Sequence, residues 1–206
     1  MSYQVSYDFY KKYNNLDDFV SKYEERKKTI KDRYKLKLND ELLVKEYFVE
    51  IFSWTVLPKE VLKFIKDIID KNNIKLIIDP SCGNAFHGYL FENLFNIKSV
   101  NIDLQNEKKS WLPVTVGDGR DYLSYQLKYV HEKSILLLSW IDYEKLCLEF
   151  MDLFKGNIII SLGNYDELCP NYKKKLNHNF ELIEKIEFEM PWGLSETMEK
   201  YLYIYE

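Results

Sequence analysis

Lys75-Leu76-Ile77-Ile78-Asp79-Pro80-Ser81-Cys82-Gly83-Asn84-Ala85-Phe86-His87-Gly88 is the stretch from which the fold is read. Lys75 to Asp79 is a short apolar, β-branched run, as expected of a strand buried on both faces inside a parallel sheet. Its end at Asp79 is followed by residues with little side chain, Ser81, Cys82, Gly83, Asn84 and Ala85, and then by the start of a helix. A strand giving way to a helix through such a turn lets a ligand approach the backbone, and open α/β sheets bind their ligands at this kind of crevice.

Outward from this stretch the chain alternates between strand-like and helix-like segments. Strands are predicted at Lys98 to Asp103, Leu112 to Val116, Ser134 to Trp140 and Asn157 to Leu162, with helical patterns after most of them. This alternation implies βαβ units in a parallel sheet. Phe180 to Phe188 and Tyr201 to Glu206 are two further strands without a long crossover helix between them, so they are expected to pair antiparallel. The fold class read from this pattern is α/β, a Rossmann-like, seven-stranded and mostly parallel sheet with a C-terminal antiparallel hairpin and helices on both faces.

Upstream, residues 1 to 56 read as an N-terminal helical extension to a domain spanning 57 to 206. Tyr3, Tyr7 and Tyr10, and again Phe19 and Tyr23, recur at helical spacing. Two readings stand: aromatic stripes that dock the arm on the core, or a lid over the site. Arg26, Lys27, Lys28, Lys31, Arg33 and Lys35 form a basic run that is either a solvated helix face or a contact for a phosphate-bearing substrate. Asn39 or Asp40 can cap the next helix. Pro58 suits the first turn of another, which runs through Val61, Leu62, Ile65 and Ile68 to Asp70 and is broken by Lys71-Asn72-Asn73.

With 206 residues the chain is long enough for one α/β domain plus a modest extension, and it buries roughly 70% of its unfolded surface. Its net charge of −4, from 29 basic and 33 acidic side chains, disfavours nonspecific nucleic-acid binding as the main activity. Cys82, Cys147 and Cys169 lie far apart, and His87, His131 and His178 lack ligand spacing, so no metal site is expected. With no leader pattern and no apolar run near ~20 residues, the expectation is a cytoplasmic protein without a membrane partner.

The charge of the crevice selects its ligand. A dinucleotide needs glycines at three spaced positions so that the backbone can receive a pyrophosphate. Only Gly83 remains here, and Asp79 would set a carboxylate against the diphosphate. S-adenosylmethionine (SAM) instead carries an ammonium and a sulfonium, which nearby acids attract. Asp103 ends the next strand 20 residues past Gly83, where an acid accepts hydrogen bonds from ribose hydroxyls. Asp118, in Val116-Gly117-Asp118-Gly119 after the third strand, is placed to receive an adenine amino group, unless it merely caps a helix.

These residues resemble the class I SAM-dependent methyltransferases. Leu76 to Ala85 is similar to the family's first motif, with Asp79 at the acidic position, Gly83 at the middle glycine, and Ser81 and Ala85 at the other two. Asp103 and Asp118 match the acids of the second and third motifs. A narrower similarity, to a little-characterised methyltransferase-like group, rests on three segments. These are Phe52-Ser53-Trp54 with Leu57-Pro58-Lys59-Glu60-Val61-Leu62, then Ser139-Trp140-Ile141-Asp142-Tyr143, then Met190-Pro191-Trp192-Gly193. The resemblance implies SAM as cofactor, held by Asp79, Ser81, Cys82, Gly83, Ala85, Asp103, Gly117, Asp118, Ser139 and Trp140. The methyl acceptor is unassigned, a small molecule or protein being favoured over nucleic acid.

Methyl transfer needs a held and aligned nucleophile more than a particular catalytic side chain. Trp140 and Tyr143 can sandwich a planar acceptor and Asp142 can take its proton, or the two rings cover the sheet while Asp142 caps a helix. His87 is the second base candidate, or it fills the crevice wall. The alternative reading of the whole chain is a catalytically inactive module that keeps the methyltransferase fold for binding.

Overall fold

The computed structural model describes residues 52–55, 57, 59–105, 110–126, 128–141, 143–163, 170–189 and 195–203. Of the helical arm expected over residues 1 to 56, only 52–55 are described, and these are not helical; the rest, with its lid and its basic run, lies outside the described residues, as do Pro58, Asp142 and the segment Met190 to Leu194.

Helix α1 (Lys59–Lys71) forms where Val61, Leu62, Ile65, Ile68 and Ile69 repeat at helical spacing, and all five are buried. Each such side chain contributes roughly 1.5–3 kcal/mol by leaving water. The helix stops at Asn73, whose φ of 51° is left-handed, while the N–H groups of Asn72 and Ile74 return to the carbonyls of Ile68 and Ile69 at 3.1 and 3.0 Å. This is the usual chemistry of a helix end closed by an asparagine. Strand β1 (Leu76–Asp79) follows, then α2 (Phe86–Phe95), β2 (Lys98–Asp103), β3 (Thr115–Val116), α3 (Gly119–Tyr125) and α4 (Lys128–Glu132). Next come β4 (Ser134–Ser139), α5 (Glu144–Leu153), β5 (Ile158–Leu162), α6 (Pro170–Asn179), β6 (Phe180–Glu189) and β7 (Ser195–Tyr203).

The seven strands form one sheet in the order β3-β2-β1-β4-β5-β7-β6. Strands β1 to β5 run parallel, whereas β7 is antiparallel to both β5 and β6. Two apolar cores flank the sheet. Leu57, α1 and α2 cover one face, over Ile77, Ile135 and Leu137. Helices α3, α5 and α6 cover the other, over Ile78, Leu136 and Leu138. The alternation of Ile135 and Leu137 with Leu136 and Leu138 is the two-residue period of a strand buried on both sides.

Two strands differ from expectation by more than one residue at an end. Strand β3 holds only Thr115 and Val116. The last strand is described over Ser195–Tyr203, so it begins ahead of the expected Tyr201, and residues 204–206 lie outside the described residues. The register explains the second difference. In the backbone register Glu184 lies opposite Lys200 and Lys185 opposite Glu199, so a segment too polar to read as a strand is paired along its length with its neighbour.

Candidate functional site

The connections from β1 run outward to β2 and β3, while those from β4 run the other way to β5, so the chain changes direction between β1 and β4. Such a switch point opens a crevice at the carboxyl ends of the strands. The turn after β1 lies at this crevice and is stitched to the end of β2. The Cys82 N–H donates to Ile102 O at 3.0 Å, and the Gly83 N–H donates to Asp103 Oδ2 at 2.9 Å. Two residues of the turn are left-handed, Gly83 at φ 54° and Ala85 at φ 61°. A methyl group added at Gly83 would meet nothing within 4 Å, so the loop leaves open space on that side.

Asp79 is 2% exposed. Burial pushes its carboxyl up to about 7, the Ser81 N–H at 3.4 Å from Oδ1 opposes this, and the Asp103 charge adds to it. The Cys82 thiol is pushed upward by burial and then by Asp79 and Asp103, which keeps it protonated and poorly nucleophilic at neutral pH. Two carboxyl groups and a turn of small residues thus form a negative pole at the end of β1. That donor set fits a cationic nucleoside: it supplies acceptors and an acidic field, and it lacks the glycine triplet that a pyrophosphate requires.

The tip of β3 joins the same edge through the Gly117 N–H, which donates to Asp103 O at 2.9 Å. Asp118 follows as the cap of α3, accepting from the Arg120 N–H at 2.9 Å. Both of its carboxylate oxygens also hold the Arg120 guanidinium, which reaches on to Glu149 at 2.7 Å. The guanidinium holds Asp118 below the usual carboxylate range. In this geometry Asp118 acts as a helix cap and ion-pair partner.

The other wall comes from β4 and β5. Ser139 pairs in register with Leu162, and the Trp140 N–H donates to Leu162 O at 3.0 Å. Trp140 has a left-handed φ of 49°. Its indole lies 3.4 Å from where a side chain would begin on Gly163, itself at φ 122°. The ring beside Trp140 is that of Trp54, with centroids 5.9 Å apart. Tyr143, expected to pair with Trp140, is 62% exposed at the start of α5. Trp54 is the residue that strand-end reasoning missed; its only signal was the Phe52-Ser53-Trp54 segment of the family-like pattern.

His87 is buried one turn from the crevice, and its Nε2 lies 2.8 Å from Thr55 O. A carbonyl cannot donate, so Nε2 carries the proton and the imidazole fastens the Thr55 backbone to α2. Burial lowers its pKa to about 4, which leaves it neutral near pH 7.

No protein-family model matches the chain, and no curated protein matches it by sequence. Solved structures do resemble it. TrmN from Thermus thermophilus is 15% identical with a TM-score of 0.54, over 78% of this chain and 53% of that one, so the chain spans about half of TrmN. The human methyltransferase 10 domain containing protein is 12% identical with a TM-score of 0.49, over 81% and 98% of the two chains. N-methyltransferase NodS from Bradyrhizobium japonicum WM9, in complex with S-adenosyl-L-homocysteine, is 8% identical with a TM-score of 0.46, over 69% and 84%. With its strand order, its antiparallel β7 and its crevice between β1 and β4, the chain has the Rossmann-like fold of the class I SAM-dependent methyltransferases.

Proposed function

We propose that the protein is a SAM-dependent methyltransferase. One observation carries the reading: Asp79 and Asp103 flank a turn of small residues at the switch point, with the turn hydrogen-bonded to Asp103. Asp79 and Asp103 attract the cationic groups of the cofactor, and Gly83 leaves its backbone approachable. Ser81, Cys82, Ala85 and Gly117 complete the inner wall, and Ser139 with Trp140 borders it from β4. Asp118 contributes by capping α3 beside the cofactor's base.

When bound, SAM supplies an electrophilic methyl carbon on a sulfonium, open to an acceptor's lone pair. A base of the chain would receive any proton the acceptor loses. The task of the chain is to exclude water and align the acceptor. Asp142 and Tyr143, next to the β4 end, are the residues assigned to the acceptor's proton and ring. His87 fastens Thr55 through its Nε2–H, and burial, which lowers its pKa to about 4, makes its other nitrogen a weak base, so the proton is assigned to Asp142. The net charge of −4 favours a small molecule or a protein side chain over nucleic acid as acceptor.

A thermal-shift titration tests the cofactor. S-adenosylhomocysteine at 100 times its dissociation constant adds roughly 2.7 kcal/mol, about 5 to 10 °C for a chain of this size. A shift with NAD and none with S-adenosylhomocysteine overturns the reading. The hold of Arg120 on Asp118 favours the second reading, a binding module without catalysis. Binding without transfer of labelled methyl to small-molecule or protein acceptor pools would establish it.

A further inference from the structure

The order of the strand tips sets how a nucleoside lies across them. Strands β3, β2, β1 and β4 stand side by side, about 4.8 Å apart. The buried Asp79 draws a cationic group to the tip of β1, and Asp103 offers its carboxylate at the tip of β2. With the ribose at Asp103, the base on its far side falls at β3. Two exposed apolar side chains stand at that end, Leu104 just past β2 and Val116 paired in register with Asp103.

The loop that leaves β3 is pinned in this position. The Gly117 N–H donates to Asp103 O at 2.9 Å, and Gly119 lies so near the turn after β1 that a β-carbon on it would fall 2.5 Å from Pro80 O. Asp118 stands between these two contacts, which hold its carboxylate at the edge of the site. Arg120 occupies that carboxylate. Oδ1 accepts from the Arg120 backbone N–H and from its Nε–H, both at 2.9 Å, while Oδ2 accepts from Nε–H at 3.0 Å and from Nη2–H. A carboxylate offers about four acceptor positions, so a single residue fills them. The guanidinium is braced from behind, since its Nη1 donates to Glu149 on α5 at 2.7 Å.

Bonds from a guanidinium to a carboxylate are roughly twice as strong as those from a neutral donor. Solvent weakens the pair here, because the Arg120 side chain is 42% exposed. A purine amino group would still have to displace several N–H contacts to make one of its own.

We infer that Arg120 withholds the Asp118 carboxylate from the cofactor's base, so that Asp118 takes no part in telling a purine with an amino group from one with a carbonyl oxygen in its place. The inference rests on the cofactor reading, and it holds whether or not methyl is transferred. Released from Arg120, Asp118 would be a free acceptor beside the base, favouring the amino group and repelling the carbonyl oxygen.

The test is calorimetric titration of the full chain with S-adenosylhomocysteine and with S-inosylhomocysteine, which carries that carbonyl oxygen. The readout is the ratio of the two affinities, which a general loss of stability or of ribose binding leaves alone. Arg120→Met keeps an apolar stem and removes the guanidinium; it should raise the preference for S-adenosylhomocysteine about tenfold over the native chain. Arg120→Met combined with Asp118→Ser, whose hydroxyl still caps α3 but carries no charge, should return the native ratio. Glu149→Gln, which loosens α3 from α5 while leaving the guanidinium on Asp118, should keep it. A ratio unmoved by Arg120→Met, a rise that survives Asp118→Ser, or an equal rise in Glu149→Gln overturns the inference and leaves the cofactor reading standing. A native chain that binds neither nucleoside sinks both.

Discussion

The amide of Gly83 and the carboxylate of Asp103 are 2.9 Å apart, a hydrogen bond that ties the turn after β1 to the tip of β2. Asp103 Oδ1 accepts a second, from the Gln105 N–H at 3.2 Å. The acid expected to meet ribose hydroxyls therefore also holds the loop in shape. Asp103→Ala should weaken S-adenosylhomocysteine binding tenfold or more and lower stability by about 1.5–3 kcal/mol, the worth of a hydrogen bond to a charged group. Calorimetry and denaturant unfolding read the two effects. Unchanged affinity removes Asp103 from the site.

Gly83 and Ala85 separate strain from space. Gly83→Ala places a side chain at φ 54°, costing about 1–2 kcal/mol, while its methyl points into open volume. Affinity for S-adenosylhomocysteine should fall by a larger factor than stability. Ala85→Gly relieves similar strain at φ 61° but loses a buried methyl worth about 0.8 kcal/mol, so stability should change by less than about 1 kcal/mol.

Asp79 makes two pH dependences of opposite sign. Its folded-state pKa is raised from 3.8 to about 7, so the native state binds more protons than the unfolded chain between these values. Its contribution to stability is complete below about pH 4 and is lost as pH rises through 7. Ligand affinity should move the other way, since only the carboxylate attracts an ammonium. S-adenosylhomocysteine binding at pH 6 should release protons, measured by calorimetry in buffers of different ionisation enthalpy. Asp79→Asn should abolish both effects.

Gly88 lets α2 lie close on β2. A β-carbon there would fall 2.2 Å from Asn101 Oδ1 and 2.7 Å from Ser99 Oγ, and Asn101 is buried. Gly88→Ala should destabilise by about 1–3 kcal/mol through overpacking. Adding Asn101→Ala should recover much of the loss in a double-mutant cycle.

Much of this was legible in the sequence because it depended on local pattern. Ile77 and Ile78 announced a strand buried on both faces, and Asp79, Gly83 and Asp103 fall where the chain changes direction, at the ends of β1 and β2. Contacts between distant segments left weaker traces. Ser195 to Tyr203 is polar in isolation and becomes a strand only opposite β6. Asp118 appeared free to meet a base, yet Arg120, two residues on, takes both its oxygens. Trp54 carried no strand or helix period; its place depends on a hydrogen bond from His87, 32 residues from Thr55.

The slot occupied by β7 governs how the molecule is made. β7 follows β6 in the chain but separates it from β5, so a polypeptide emerging from the ribosome offers β6 before any neighbour exists to receive it. Until β7 arrives, β5 keeps an unsatisfied edge of Ile158, Ile159 and Ile160, the type of edge that recruits other chains. Shortened chains that lack β7 should aggregate during synthesis rather than fold with one strand fewer.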